Sequence, residues 1–151
     1  KIGTDPHRMD SFTVALTHQM NTLGTGHWWQ FHNFRKTTGY ANMPLDGIWA
    51  RAPYLHNGSV PTLRDLLKKP TDRPQVFYRG DDRYDPEKVG FRSDQPVSAD
   101  GRKLFKFDTQ LSGNSNEGHR YGTELSDADK EALVEYMKTL GPPPKEGKTH
   151  E

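Results

Sequence analysis

The sequence predicts a mainly α chain with long irregular loops and a small β ribbon, and three observations predict it. A segment near the carboxy end carries a complete helix signature. Clusters of turn-forming residues punctuate most of the remainder. Leu, Ile, Val and Phe together number 27 of 151 residues, too few for a large self-sufficient core. Disorder is not the expectation either, because 21 basic residues nearly balance 20 acidic ones and the chain holds three Trp, six Tyr and seven Phe. A folded, loop-rich segment completed by a cofactor, a metal or a partner surface is expected, since its own apolar area barely offsets the entropy of ordering it. Residues 1–141 form the predicted folded part, and 142–151 a polar tail.

In chain order, a first helix is expected over residues 10–21, weakened by Thr13, Val14 and Thr17 and ended by Gly24-Thr25-Gly26. A second is expected over 62–68, with Thr62 as cap, Leu63, Leu66 and Leu67 inward, and Pro70 and Pro74 at its exit. Strands are expected over 75–78 and 103–107, able to pair as a ribbon. The last helix starts at the Ser126 cap, with Asp127 and Asp129 at its positive end. It carries Leu133, Tyr136, Met137 and Leu140 as an apolar stripe and stops at Gly141 before Pro142-Pro143-Pro144.

The composition excludes several functions. Without cysteine the chain has no disulfide, thiolate metal site or Cys nucleophile. A net charge of +1 with scattered basic residues gives no nucleic-acid footprint. No apolar run approaches the ~18–20 residues of a membrane span, and no signal peptide opens the chain. The opening Lys1-Ile2-Gly3-Thr4-Asp5 lacks Met, as expected of a processed or cleaved amino terminus.

Seven histidines are the candidate chemical groups: His7, His18, His27, His32, His56, His119 and His150. No HExxH motif, phosphate-binding glycine loop or G-x-S-x-G elbow accompanies them. Ser115 with His119 and an Asp makes a triad only on paper. His27 and His32 flank Trp28, Trp29 and Phe31, which suggests packing, with the two Trp as a buried structural pair rather than relay aromatics. Asp81, Asp82, Asp85 and Glu87 lack the spacing of a calcium loop and read as a solvated turn, leaving calcium possible but unsupported.

Two segments are denser in chemistry. Residues 45–63 combine Trp49, Arg51, Tyr54 and a His56 set in an Asn57-Gly58 turn, which suits a large flat cofactor with charged edges. Arg51 can grip a carboxylate bidentately. Residues 112–122 place His119 between Gly118 and Gly122, leaving little bulk around the ring.

The run LDGIWARAPYLHNGSVPTLRDLL resembles the carboxy-terminal haem domain of the di-haem cytochrome c peroxidase superfamily. It is most similar to the branch of rubber oxygenases and related c-type cytochromes. The stretches IGTDPHRMDSF, RPQVFYRGDDRYDPEKVGF and GNSNEGHRYGTELSDADKEALVEYMKTL fit the same branch, so the resemblance spans most of the chain in order.

The resemblance implies a cytochrome c-like haem domain fragment and haem c as the cofactor. In the superfamily a Cys-x-x-Cys-His motif attaches each haem. Its absence places the expected attachment upstream or on a companion chain. The peroxidase branch commonly supplies a Met ligand in the stretch that residues 60–71 resemble, and these contain no Met; the resemblance to the rubber-oxygenase branch then implies a His as the distal ligand, His119 first and His56 second. If not ligating, His56 is expected near the haem edge or propionates. Trp49 and Tyr54 then form pocket wall, and Arg51 meets a propionate.

The expected role is electron transfer in a periplasmic or extracellular, peroxidase- or oxygenase-like protein with a redox partner, the isolated chain not being catalytic. The competing expectation is a degenerate, haem-free module with a structural or interaction role.

Overall fold

The computed structural model describes residues 2–141; the polar tail and His150 lie outside them. Among the described residues four α-helices are present: α1 His7–Ser11, α2 Val14–Thr22, α3 Leu63–Leu66 and α4 Asp127–Lys138. Single 3-10 turns occupy Ile48–Ala50 and Pro70–Asp72. The strands are β1 Val76–Arg79, β2 Tyr84–Asp85, β3 Gly90–Phe91 and β4 Phe105–Asp108.

The expectation of a mainly α chain is corrected: the fold is 26% helical and 12% strand, and its helices are short. The physical reason lies at the helix ends. Thr13 takes an extended conformation and its hydroxyl accepts a hydrogen bond from the Leu16 amide at 3.1 Å, so it starts α2 and divides the predicted first helix in two. Thr62 caps α3 as expected, accepting from the Asp65 amide at 3.0 Å, but the helix ends after one turn at Leu67, ahead of Pro70. Only α4 has three turns, and its Ser126 cap accepts from the Asp129 amide at 3.2 Å.

β1 and β4 pair antiparallel, with Phe77 opposite Phe107, as the predicted ribbon requires. Their rings stack with centroids 5.0 Å apart. The hairpin of β2 and β3, with Tyr84 opposite Phe91, was not expected; each strand is only two residues long.

The main core forms where α3 and α4 meet the 48–50 turn and the bridge between Tyr54 and Val60. Leu63, Leu66, Leu67, Val60, Val89 and Val134 are buried there, with Leu133 and Met137 packed alongside. On α4 the buried stripe therefore runs through Leu133, Val134 and Met137, while Tyr136, assigned to it from spacing, is exposed. The Trp28–Trp29 pair is also corrected: Trp28 is 97% exposed, and Trp29 stacks on His27 at 5.2 Å instead.

Leu63 is fully enclosed and Tyr136 is not, which separates two substitutions on facing elements. Leu63→Ala is expected to lower unfolding free energy by about 2–5 kcal/mol. Tyr136→Ala is expected to change it by no more than about 0.5 kcal/mol. Urea denaturation of both variants checks this; equal losses would place the core elsewhere.

Candidate functional site

The segment around His56 is built by local turn chemistry. Tyr54 and Val60 exchange backbone hydrogen bonds of 2.7 and 3.3 Å, closing a loop that Asn57 and Gly58 turn. The Asn57 side-chain amide donates to the Gly113 and Ser115 carbonyls at 3.2 and 2.9 Å. Ser59 Oγ donates to the same Ser115 carbonyl at 3.0 Å. The two histidine-bearing loops are thus laced together just ahead of His119.

His119 is held by its backbone. Its amide donates to the Ile2 carbonyl at 3.1 Å, and its carbonyl accepts from Arg73 Nη2 at 2.9 Å. Its φ of +47° is left-handed, a conformation His tolerates better than most residues. Gly118 beside it also has a positive φ, and a Cβ there would run into the Gly3–Thr4 backbone. At Gly122 a Cβ would come within 3.1 Å of Leu67. Both glycines are therefore taken up by the chain's own packing.

Arg73 is buried with no carboxylate partner among the described residues. Its guanidinium donates to the carbonyls of Lys68, Leu66, Asn116, Gly118 and His119. The sequence carried no local sign of this role. Its partners on the His119 loop are 43 to 46 residues away.

The His119 ring packs edge-on to Tyr121 at 5.2 Å. Its Nδ1 is buried without a hydrogen-bond partner among the described residues. Burial pushes its pKa below the ordinary value, its own backbone amide opposes this, and the Arg73 charge pulls with burial. His56 shares these traits. Its Nε2 is buried and unpartnered, and its ring stacks on Tyr40 at 4.0 Å. Burial again lowers its pKa, with Asp5 opposing and Arg8 assisting. A cavity of about 350 Å³ opens between Ile2, Gly3, Glu117, Gly118, Arg120 and Tyr121, and the His119 ring does not line it.

None of the candidate residues read from the sequence lines this cavity. Tyr54 is a core residue whose hydroxyl donates to the Ile48 and Val89 carbonyls at 3.0 and 3.3 Å. Trp49 is half-exposed, its carbonyl accepting from Tyr84 Oη at 2.6 Å. Arg51 is exposed and donates to the Pro44 carbonyl at 2.8 Å. In the acidic cluster Asp81 is buried and gripped by Arg83 at 2.6 Å, which holds its pKa down at about 2. It is a paired carboxylate, not a solvated turn residue. Asp85 caps the following turn by accepting from the Glu87 and Lys88 amides.

One constellation escaped sequence reasoning. Buried Asp5 accepts from His7 Nδ1 at 2.9 Å, and His7 Nε2 lies 2.9 Å from Ser112 Oγ. The order matches a catalytic triad, but the His7 side chain is 60% exposed and Ser112 is exposed, so no walled cleft surrounds the pair. The row ties the amino-terminal segment to the 112–115 loop, a role Asp5 extends by accepting from the Ser115 amide at 3.3 Å.

Residues 39–78 match the family model described as RoxA-like, cytochrome c-like, which agrees with the resemblance read from the sequence. That relationship points to a cytochrome c-type redox module. The uncharacterized protein y4iJ of Sinorhizobium fredii is 44% identical over 110 residues, covering 67% of this chain and 18% of that protein. The uncharacterized protein y4iM of the same organism is 42% identical over 119 residues, covering 67% of this chain and 27% of that protein. The chain thus spans well under a third of either relative. No helix among the described residues is long and apolar enough to cross a membrane.

The lowered imidazole pKa values set a pH dependence. An unfolded His protonates near ~6.5, whereas folded His56 and His119 protonate only at lower pH. Their contribution is fully present above that unfolded value and is lost as pH falls through it toward the folded values, because the unfolded state binds protons first. In the chain without bound metal, melting temperature is expected to fall between about pH 7 and pH 5. His119→Asn, which tolerates the left-handed backbone, flattens part of that slope. An unchanged slope would show that the His119 ring titrates freely.

Proposed function

We propose that this chain is one part of a c-type cytochrome redox module, shaping the pocket of a haem c whose thioether attachment lies on another segment or a companion chain. The observation that carries this reading is the His119 ring. It is half-buried, neutral at ordinary pH, fixed by its backbone and unpartnered at Nδ1. A buried imidazole nitrogen without a partner is costly, and a ligand or acceptor from outside the chain removes that cost. The residues present suit the distal side of a haem and not its attachment, since the chain has no Cys.

Bound there, haem iron supplies one-electron chemistry. His119 is the proposed distal ligand and His56, whose Nε2 is also unpartnered, the second candidate. Trp49 and Arg51 sit exposed on the 48–51 turn, where an indole face and free guanidinium N–H groups can meet a haem wall and a propionate. Tyr54 braces that turn from the core through its bond to Ile48. Arg73 and Ile2 fix the loop that presents His119. The whole protein is proposed to transfer electrons outside the cytoplasm, to a redox partner or to a peroxidase- or oxygenase-like reaction at a second haem.

The absence of Cys favours a second reading, a haem-free cytochrome-like module with an interaction role. Optical spectra of the whole protein decide between them. The redox reading expects a c-type pyridine haemochrome and a six-coordinate low-spin signal that His119→Ala converts to high spin. Absence of the haemochrome would establish the haem-free reading. Conversion by His56→Ala and not by His119→Ala would reverse the ligand assignment.

A further inference from the structure

A second site lies on the ribbon side of the fold; as a site for a free acid it stands apart from the redox reading, and as a site for a haem propionate it rests on that reading. A cavity of about 270 Å³ opens between the loop flanking the Tyr54–Val60 bridge and strands β1 and β3. Pro53, Pro61, Phe77 and Phe91 give it apolar walls. Two cations, Arg79 and Arg92, also line it.

Arg79 is the unusual member. It is half-buried, and its guanidinium lies over the Phe107 ring, 5.1 Å from the centroid. The bare face of Gly58 makes room for it, since a Cβ there would sit 3.2 Å from Arg79 Nη2. Among the described residues no carboxylate or carbonyl accepts from this guanidinium, in contrast to Arg73 with its five carbonyls. Arg92 likewise has no side-chain partner there. The one acidic residue in the lining, Asp81, is already matched by Arg83, whose Nε and Nη2 reach its two oxygens at 3.0 and 2.6 Å. The cavity therefore carries uncompensated positive charge against apolar walls.

We propose that this cavity binds an organic carboxylate on a flat apolar body, with the Arg79 guanidinium gripping the carboxylate and Phe77, Phe91 and the two prolines covering the body. The planar fork of a guanidinium matches a carboxylate bidentately, and a partly desolvated setting strengthens the contact. The volume fits a small aromatic acid. A free acid and the propionate edge of a haem share this chemistry.

Benzoate titrated calorimetrically into the purified protein tests the site, with benzyl alcohol as the neutral counterpart. Benzoate is expected to bind at least about tenfold more tightly than benzyl alcohol, and Arg79→Gln to remove that margin. Arg92→Gln, on an exposed side chain that leaves Phe107 untouched, is expected to weaken benzoate severalfold and serves if Arg79→Gln does not fold. Repeating the titration on protein produced with and without haem maturation separates the two sources. Binding to both forms identifies a free acid, and binding to the haem-free form alone identifies a propionate. Equal affinity for benzoate and benzyl alcohol, unaltered binding in both Arg variants, or no benzoate binding to either form overturns the proposal.

Discussion

Arg73 carries a full positive charge into the interior, where no described carboxylate meets it. Desolvating a guanidinium is expensive unless its donors are used. Here the donors converge on five backbone carbonyls, two at the exit of α3 and three on the loop through Asn116, Gly118 and His119. Those carbonyls belong to irregular backbone that no ladder satisfies, so the charge and the loop solve each other's problem. The α3 exit in turn packs Leu66 and Leu67 into the core. One side chain thus couples the hydrophobic centre to the loop that presents His119.

The same pattern recurs elsewhere. Asp5 accepts from His7 and Ser115, Tyr40 donates to the Asp5 carbonyl at 2.9 Å, and Asn57 ties two loops through its amide. Polar side chains bonded to distant backbone do here what a larger aliphatic core does in other folds. Such a scaffold leaves ring nitrogens of His56 and His119 buried and unpartnered.

What was legible in the sequence was local. The Ser126 and Thr62 caps and the pairing of β1 with β4 rest on residues a few positions apart or on plain aromatic clustering, whereas α4 ends at Lys138, short of the expected stop at Gly141. His56 and His119 stand out in the sequence because an Asn-Gly turn or glycines flank them, and the structure buries one ring nitrogen of each without a partner among the described residues. The role of Arg73 was not legible, because its loop partners are more than forty positions away. Spacing also misassigned Tyr136, since a helix stripe fixes a face but not which edge residue the neighbour covers. Trp28 was expected inside as half of an aromatic pair, and at 97% exposure it shows that aromatic clustering does not decide burial where no neighbouring element packs. The mainly α class failed because Thr13 and Pro70 keep the helices beside them short and most of the described chain is loop.

The central claim is that Arg73 fixes the loop bearing His119. Amide hydrogen exchange in Arg73→Gln against the parent chain tests it most directly. The account predicts that amides over residues 115–120, the His119 amide bonded to Ile2 among them, exchange at least about tenfold faster, while those of Asp127–Lys138 keep their protection. Unaltered exchange across 115–120, or equal loss of protection in both segments, would contradict it.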